Sequence, residues 1–149
     1  MEMVIEPKPK KNKRRKILQT TLELISERGF HGTPISSIAD QANVGAGTIY
    51  RYFKNKEELI GELYKALRRE TVDAMQEGLS EQETVKQGFR KIWDNLIRFY
   101  IGNSRKFLFL EQFSYSPFSS EFSKKEDYQL MKPIFGFFNS AIRKEILKP

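Results

Sequence analysis

Apolar residues recur at helical spacing along most of the chain, and the breaks between these runs predict its elements. Leu18, Leu22 and Ile25 share one face, with Ile17 and Thr21 beside them, which predicts a helix over about Asn12 to Arg28 that stops at Gly29. Ile35, Ile38, Ala39 and Ala42 then line one side of a two-turn helix, opposite Ser36, Ser37, Asp40 and Gln41. Thr33 is its expected N-cap and Pro34 its first residue, where the missing N–H costs nothing. The small side chain of Ala39 suits a point where two helices cross steeply at a short turn. Asn43 tolerates the left-handed conformation that such a turn needs, and Val44 is placed to fill the angle. A second short helix, roughly Ala46 to Phe53, turns Ile49 and Phe53 inward and Gly47, Thr48, Arg51 and Tyr52 outward. Asn55, with Glu58 at the capping-box position, starts a third, which Leu59, Ile60, Leu63 and Leu67 carry to about Gly78.

The second half keeps the period and adds aromatic residues. Ser80 and Glu83 form a capping box before a helix on which Val85, Phe89, Ile92, Leu96 and Phe99 make a seam. Trp93, Ile97 and Tyr100 make a second stripe, so this helix is expected to be covered on more than one side. Gly102 and Asn103 break it. Phe107 to Leu110 is apolar around the full turn, as in a helix buried within a bundle, and Ser116 and Pro117 end that run. Ser123 and Glu126 form a further capping box before a last helix, whose face carries Met131, Ile134, Phe135, Phe138, Ile142 and Ile146, widened by Phe137 and Ala141. Pro133 inside it predicts a kink or a delayed start. The chain is therefore expected to be all-α.

The outward face of the second short helix carries chemistry. Thr48, Arg51 and Tyr52 stand at i, i+3 and i+4, so one patch collects a hydroxyl, a guanidinium and a phenol, and Gly47 allows close backbone approach. Lys56 in the first turn of the next helix opposes the helix dipole, which suits a neighbouring anion. Two short helices joined by a tight turn also occur in bundles with no nucleic-acid role, so periodicity alone leaves both readings open.

The residues themselves go further. Gly29, Phe30, Gly32 and Thr33, then Ile38, Ala39 and Ala42, then the run V-x-x-G-T-I-Y-x-Y-F-x-x-K-x-x-L from Val44 to Leu59 resemble the N-terminal DNA-binding domain of the TetR family of transcriptional regulators, over about Arg15 to Leu67. The resemblance implies a three-helix helix-turn-helix head, a connector helix acting as a lever, and a helical ligand-binding and dimerisation body. It implies that the second motif helix enters the major groove and that Ala46, Gly47, Thr48, Tyr50, Arg51, Tyr52 and Lys56 touch DNA. Lys13 and Arg14 from the basic run, and Thr33 and Ser37 from the first motif helix, complete the expected set. The expected division is a disordered basic arm at 1–11, the helix-turn-helix domain at 12–55 and the body at 56–149. Family members ordinarily continue beyond the position of Pro149 into two helices that pair with a second subunit, and no counterpart of these is expected here.

Charge agrees with that placement. Residues 1–56 hold 11 Lys and Arg against 5 Asp and Glu, a net +6, whereas residues 57–149 hold 15 against 14, a net +1. The basic excess is an electrostatic footprint for phosphates, most of it in Pro7 to Lys16, where Met1 to Pro9 is expected to be disordered and Lys10 to Lys16 to form an arm along the duplex. The absence of cysteine removes disulfides and thiolate catalysis, and the single histidine, His31, removes a histidine-based triad or multi-histidine metal site. No cofactor is expected. Charges interrupt every apolar run, so neither a membrane span nor a signal peptide is expected, and a cytoplasmic protein is.

Most of the 12 phenylalanines and the one tryptophan lie in the body. They are either core or the wall of a cavity, and Phe89, Trp93, Phe107, Phe113 and Phe138 are the candidates for a wall, with Glu111 as a carboxylate that needs a partner. Gly136 either leaves room for a ligand or lets helices approach. The reading that results is a repressor that binds a palindromic duplex as a homodimer and is released by a small hydrophobic effector. An effector-less architectural or adaptor protein, whose aromatic body is core or a partner surface, is the alternative.

Overall fold

A computed structural model describes residues 9–80, 83–121 and 124–143. Among them the chain forms eight helices and no strand: α1 (Pro9–Arg28), α2 (Ile35–Ala42), α3 (Ala46–Tyr52), α4 (Lys56–Gln76), α5 (Val85–Gly102), α6 (Ser104–Ser114), α7 (Phe118–Glu121) and α8 (Lys124–Arg143). They fall into two compact units, Met1–Leu63 and Tyr64–Pro149, with the first two turns of α4 in the former and the rest in the latter.

In the first unit Ile17, Ile25, Ile38, Ile49, Leu59 and Ile60 are fully buried, and Phe53, Leu24 and Leu22 nearly so. These are the positions the period assigns to inner faces. Gly29 ends α1 at φ +71°, its N–H donating to the Ile25 carbonyl at 2.8 Å. Asn43 takes φ 53° and ends α2, and the Val44 N–H then donates to the Ala39 carbonyl at 3.0 Å, closing the turn onto α3. The Asn55 side chain accepts the Glu58 N–H at 2.8 Å, while the Glu58 carboxylate reaches back to the Lys54 N–H, so the cap of α4 is formed as expected but closes one residue early on its return arm.

Two starts differ from expectation. α1 begins at Pro9 rather than Asn12, so Lys10 and Lys11, expected in a disordered arm, are helical; Met1 to Lys8 lie outside the described residues. Pro34, with extended ψ 158°, is the N-cap of α2. Thr33 instead turns its hydroxyl back to donate to the Gly29 carbonyl at 2.9 Å, which satisfies the end of α1 rather than the start of α2.

The second unit closes around Val72, Met75, Ile92 and Ile134, with Leu79, Leu96, Met131, Phe137 and Phe138 packed against them. Gly88 is buried where α5 meets α8: a Cβ there would lie 2.6 Å from the Phe137 ring. The start of α5 is set by Thr84 and Gln87, a complete capping box, and not by Ser80. The Glu83 carboxylate accepts the Ser80 N–H at 3.5 Å and also pairs with Lys91, whose Nζ donates to the Gly78 carbonyl at 2.7 Å. α8 begins at Lys124 and runs through Pro133 without interruption, so no delayed start occurs; Ser123 and Ile146 lie outside the described residues.

The expectation that α5 and α6 are covered all round is overturned. Phe89, Trp93, Ile97 and Ile101 are exposed on α5, Phe107 and Leu108 on α6, and Phe135 on α8, whereas Ile92, Phe109, Leu110 and Phe113 are buried. One side of each helix finds a neighbour within the unit and the other does not. Gly136 is exposed with nothing near its absent Cβ, so it mediates no helix approach within the chain.

Candidate nucleic-acid interface

α3 is anchored by Ile49 and by Phe53 just past its end, both essentially inaccessible, and this orients the rest of its surface. Ala46, Gly47, Tyr50 and Arg51 are exposed, while Thr48 and Tyr52 are half-buried at the margins. Tyr50 is 53% exposed, an unusual position for a tyrosine with no ring contact of its own in this unit. No atom lies within 4 Å of where a Gly47 Cβ would stand, so the chain's own packing does not require glycine there. A helix of seven residues thus presents a guanidinium, a phenol, a hydroxyl and an uncovered stretch of backbone on one side. These groups are donors and acceptors suited to base edges and phosphates, and a single helix of this width fits the major groove.

The flanking residues divide. Lys13 is exposed on α1, and Ser37 is half-buried on the polar side of α2. Arg14, expected to meet DNA, is committed to the fold: its guanidinium pairs with Glu62 at 2.9 Å and lies 5.2 Å over the Phe53 ring, tying α1 to α4. Thr33, also expected at the interface, is fully buried, with its hydroxyl spent on the Gly29 carbonyl. Lys56 donates to the Phe30 carbonyl at 2.7 Å, and its pKa is lowered by desolvation against an opposing pull from Glu57. One of its three donors is therefore used in holding the turn after α1. His31 is exposed beside that turn. The Arg14–Glu62 pair joins residues 48 positions apart and had no signal in the local period.

The aromatic candidates of the body do not form one wall. Phe89 stands edge-on to Trp93 at 6.2 Å and to Phe138 at 6.1 Å, a surface group. Phe107 meets Tyr100 at 5.3 Å. Phe113 is core, stacked on Tyr64 at 4.1 Å and on Phe109 at 6.2 Å. Glu111 is exposed to solvent and needs no partner, because the helix face it occupies is not covered. Two open clefts, one between α4 and α8 and one beside α5, are lined mainly by charged and amide side chains. Among the described residues no group of three or more histidine, cysteine, aspartate and glutamate side chains is arranged to hold a metal, and no helix is long and apolar enough to cross a membrane.

Comparison with known proteins places this geometry. Residues 17–63 match the model of the bacterial regulatory proteins of the tetR family. The fatty acid metabolism regulator protein of Bacillus subtilis is 40% identical over 80 residues, 54% of this chain and 41% of that protein. The HTH-type transcriptional regulator YvdT, also of B. subtilis, is 30% identical over 142 residues, 94% of this chain and 70% of its own length. A crystal structure assigned to the tetR family of transcription regulators, from Shewanella sp. PV-4, superposes with a TM-score of 0.75 at 32% identity, covering 89% of this chain and 69% of that one. The chain spans about half the length of several curated relatives that it matches.

Proposed function

The chain belongs to the tetR family of bacterial regulatory proteins, and on that premise we propose that it reads double-stranded DNA through α3 and represses transcription from a palindromic operator as a homodimer. The observation that carries this reading is the exposure of Gly47, Tyr50 and Arg51 on a helix whose opposite side, Ile49 and Phe53, is locked in the core. A reading helix must be rigid on one side and bare on the other, because base-edge hydrogen bonds need donors held within a fraction of an ångström. Lys13 and the cations near it in α1 supply phosphate contacts that position the helix without reading sequence.

Two heads spaced by one helical turn, ~34 Å, or a multiple of it read a palindrome with far better discrimination than one head. A homodimer supplies them, and the cytoplasm, where chromosomal DNA is exposed, is the fitting compartment. Release by a small hydrophobic effector completes the reading, with α4, whose turns belong to both units, as the helix that carries the signal. The aromatic richness of the second unit supports it, and so does the likeness to the fatty acid metabolism regulator protein of B. subtilis. An effector releases DNA only to the extent that it binds the two states with different affinity.

The test is selection of duplexes from a randomised pool, followed by anisotropy titrations of the winner and a scrambled control. Arg51→Ala is expected to cost about 1–3 kcal/mol on the selected duplex and to relax base preference at one position, the signature of a lost bidentate contact. Lys13→Gln is expected to weaken all duplexes alike and to reduce the salt slope by about one. Equal losses on every sequence for both variants contradict the division of roles.

A further inference from the structure

We propose that a cleft between α4 and the start of α8 binds a phosphate monoester. It has a volume of about 290 Å3 and is lined by Lys65, Arg69, Lys125, Glu126, Gln129 and Leu130. Among the described lining residues three cations and one carboxylate leave a net +2, opposite to the nearly double negative charge of a phosphate monoester at neutral pH. Lys65 pairs with Glu126 at 3.4 Å, whereas Arg69 and Lys125 make no hydrogen bond or ion pair among the described residues.

The two helices that carry these cations are tied to each other. The Tyr64 hydroxyl donates to Asp127 Oδ1 at 2.6 Å, and Arg68 Nε donates to the same oxygen at 3.1 Å. Tyr64 and Arg68 precede Lys65 and Arg69 in α4, and Asp127 follows Glu126 in α8. Lys125 stands in the first turn of α8, beside Glu126 and Asp127. Like charges held in place in this way are relieved by an incoming anion rather than by rearrangement. The planar fork of Arg69 offers paired donors to two phosphate oxygens, the lysines add point charges, and Leu130 with the lysine stems gives the ester's carbon group an apolar side. The other cleft, beside α5, gives the contrast: Arg90, Lys91 and Arg98 are balanced there by Glu77, Glu83 and Asp94, and Lys91 is already bound to Glu83.

The site lies within the second unit and does not depend on the DNA-reading role of α3. The test follows amide resonances of the 15N-labelled full chain during titration with phenyl phosphate, with benzyl alcohol and sodium sulfate as controls. Saturable shifts confined to residues 65–70 and 125–130 are expected. Affinity is expected to fall at least tenfold in R69Q/K125Q and to stay unchanged in R90Q/R98Q, with both variants keeping the wild-type spectrum elsewhere. Shifts that survive in R69Q/K125Q, or that benzyl alcohol or sulfate reproduces at the same concentration, overturn the proposal. So does absence of phenyl phosphate shifts together with loss of duplex affinity in R69Q/K125Q, which would assign these cations to DNA.

Discussion

The two units bury their apolar residues to very different degrees. In the first, every large apolar side chain that the helical period turns inward is covered, and Tyr50 is the one large hydrophobic residue left exposed among those described there. In the second, Phe89, Trp93, Ile97, Ile101, Phe107, Leu108, Tyr115, Tyr128 and Phe135 all stand in solvent. Both units are helical and both have an apolar period, so the period does not distinguish them. The difference is in what lies opposite each face: in the first unit the neighbouring helices cover the apolar faces, whereas in the second they leave part of them uncovered. The first unit thus holds one side of α3 locked in its core, and the second leaves apolar surface exposed.

The largest expected effect separates the two cores. Phe53→Ala in the first unit is expected to cost about 3–5 kcal/mol in urea denaturation, as for a fully buried ring. Phe89→Ala in the second is expected to cost about 1 kcal/mol, the scale of its edge contacts with Trp93 and Phe138. Similar losses in both variants would break the comparison.

Glycines sharpen it at the next level. Gly88→Ala places a methyl group against the Phe137 ring and is expected to destabilise by about 1–3 kcal/mol, read by the same denaturation. Gly47→Ala meets no neighbour within the chain and lies within α3, so it is expected to stabilise the fold by roughly 0.5–1 kcal/mol while lowering duplex affinity, because the methyl group stands on the reading surface. A Gly47→Ala variant that binds the selected duplex as well as wild type would remove that residue from the interface.

The smallest effect is a pH dependence. Burial, and then the hydrogen bond to Asp127, raise the Tyr64 phenol above its ordinary value of 10.0. The neutral phenol therefore contributes stability that is complete below about pH 10 and is lost as pH rises through the raised value, since only the unfolded chain ionises in between. Denaturation midpoints measured from pH 9 to 11 are expected to fall more steeply for wild type than for Tyr64→Phe. Parallel curves would show that Tyr64 ionises alike in both states.

These contrasts also explain what was legible in the sequence. Gly29, Asn43, Asn55 and the inward set of α1 to α4 act through local geometry, and each was readable from residue type and spacing. The start of α2 was misplaced because Thr33 caps the end of α1 rather than the start of α2, and that of α5 because Thr84 and Gln87 form the capping box that precedes Val85. On α3 the exposure of Arg51 followed from the inward places of Ile49 and Phe53, whereas Tyr50 was reached only through the family resemblance. The Arg14–Glu62 pair was not legible because Glu62 arrives only through tertiary packing. In the second unit the period named the right faces, but a period states which positions share a face and not whether anything covers it. That is why Phe113 proved to be core and Phe107 surface.

The account rests most on α3 as a reading helix presented twice on a palindrome. The direct measurement is the mass, by sedimentation velocity, of the complex formed on the selected duplex, together with its affinity relative to a scrambled duplex at physiological salt. Two chains per duplex and a preference of at least about 10³-fold are expected for specific recognition. One chain per duplex, or binding that is equal on both sequences and lost with added salt, would contradict it.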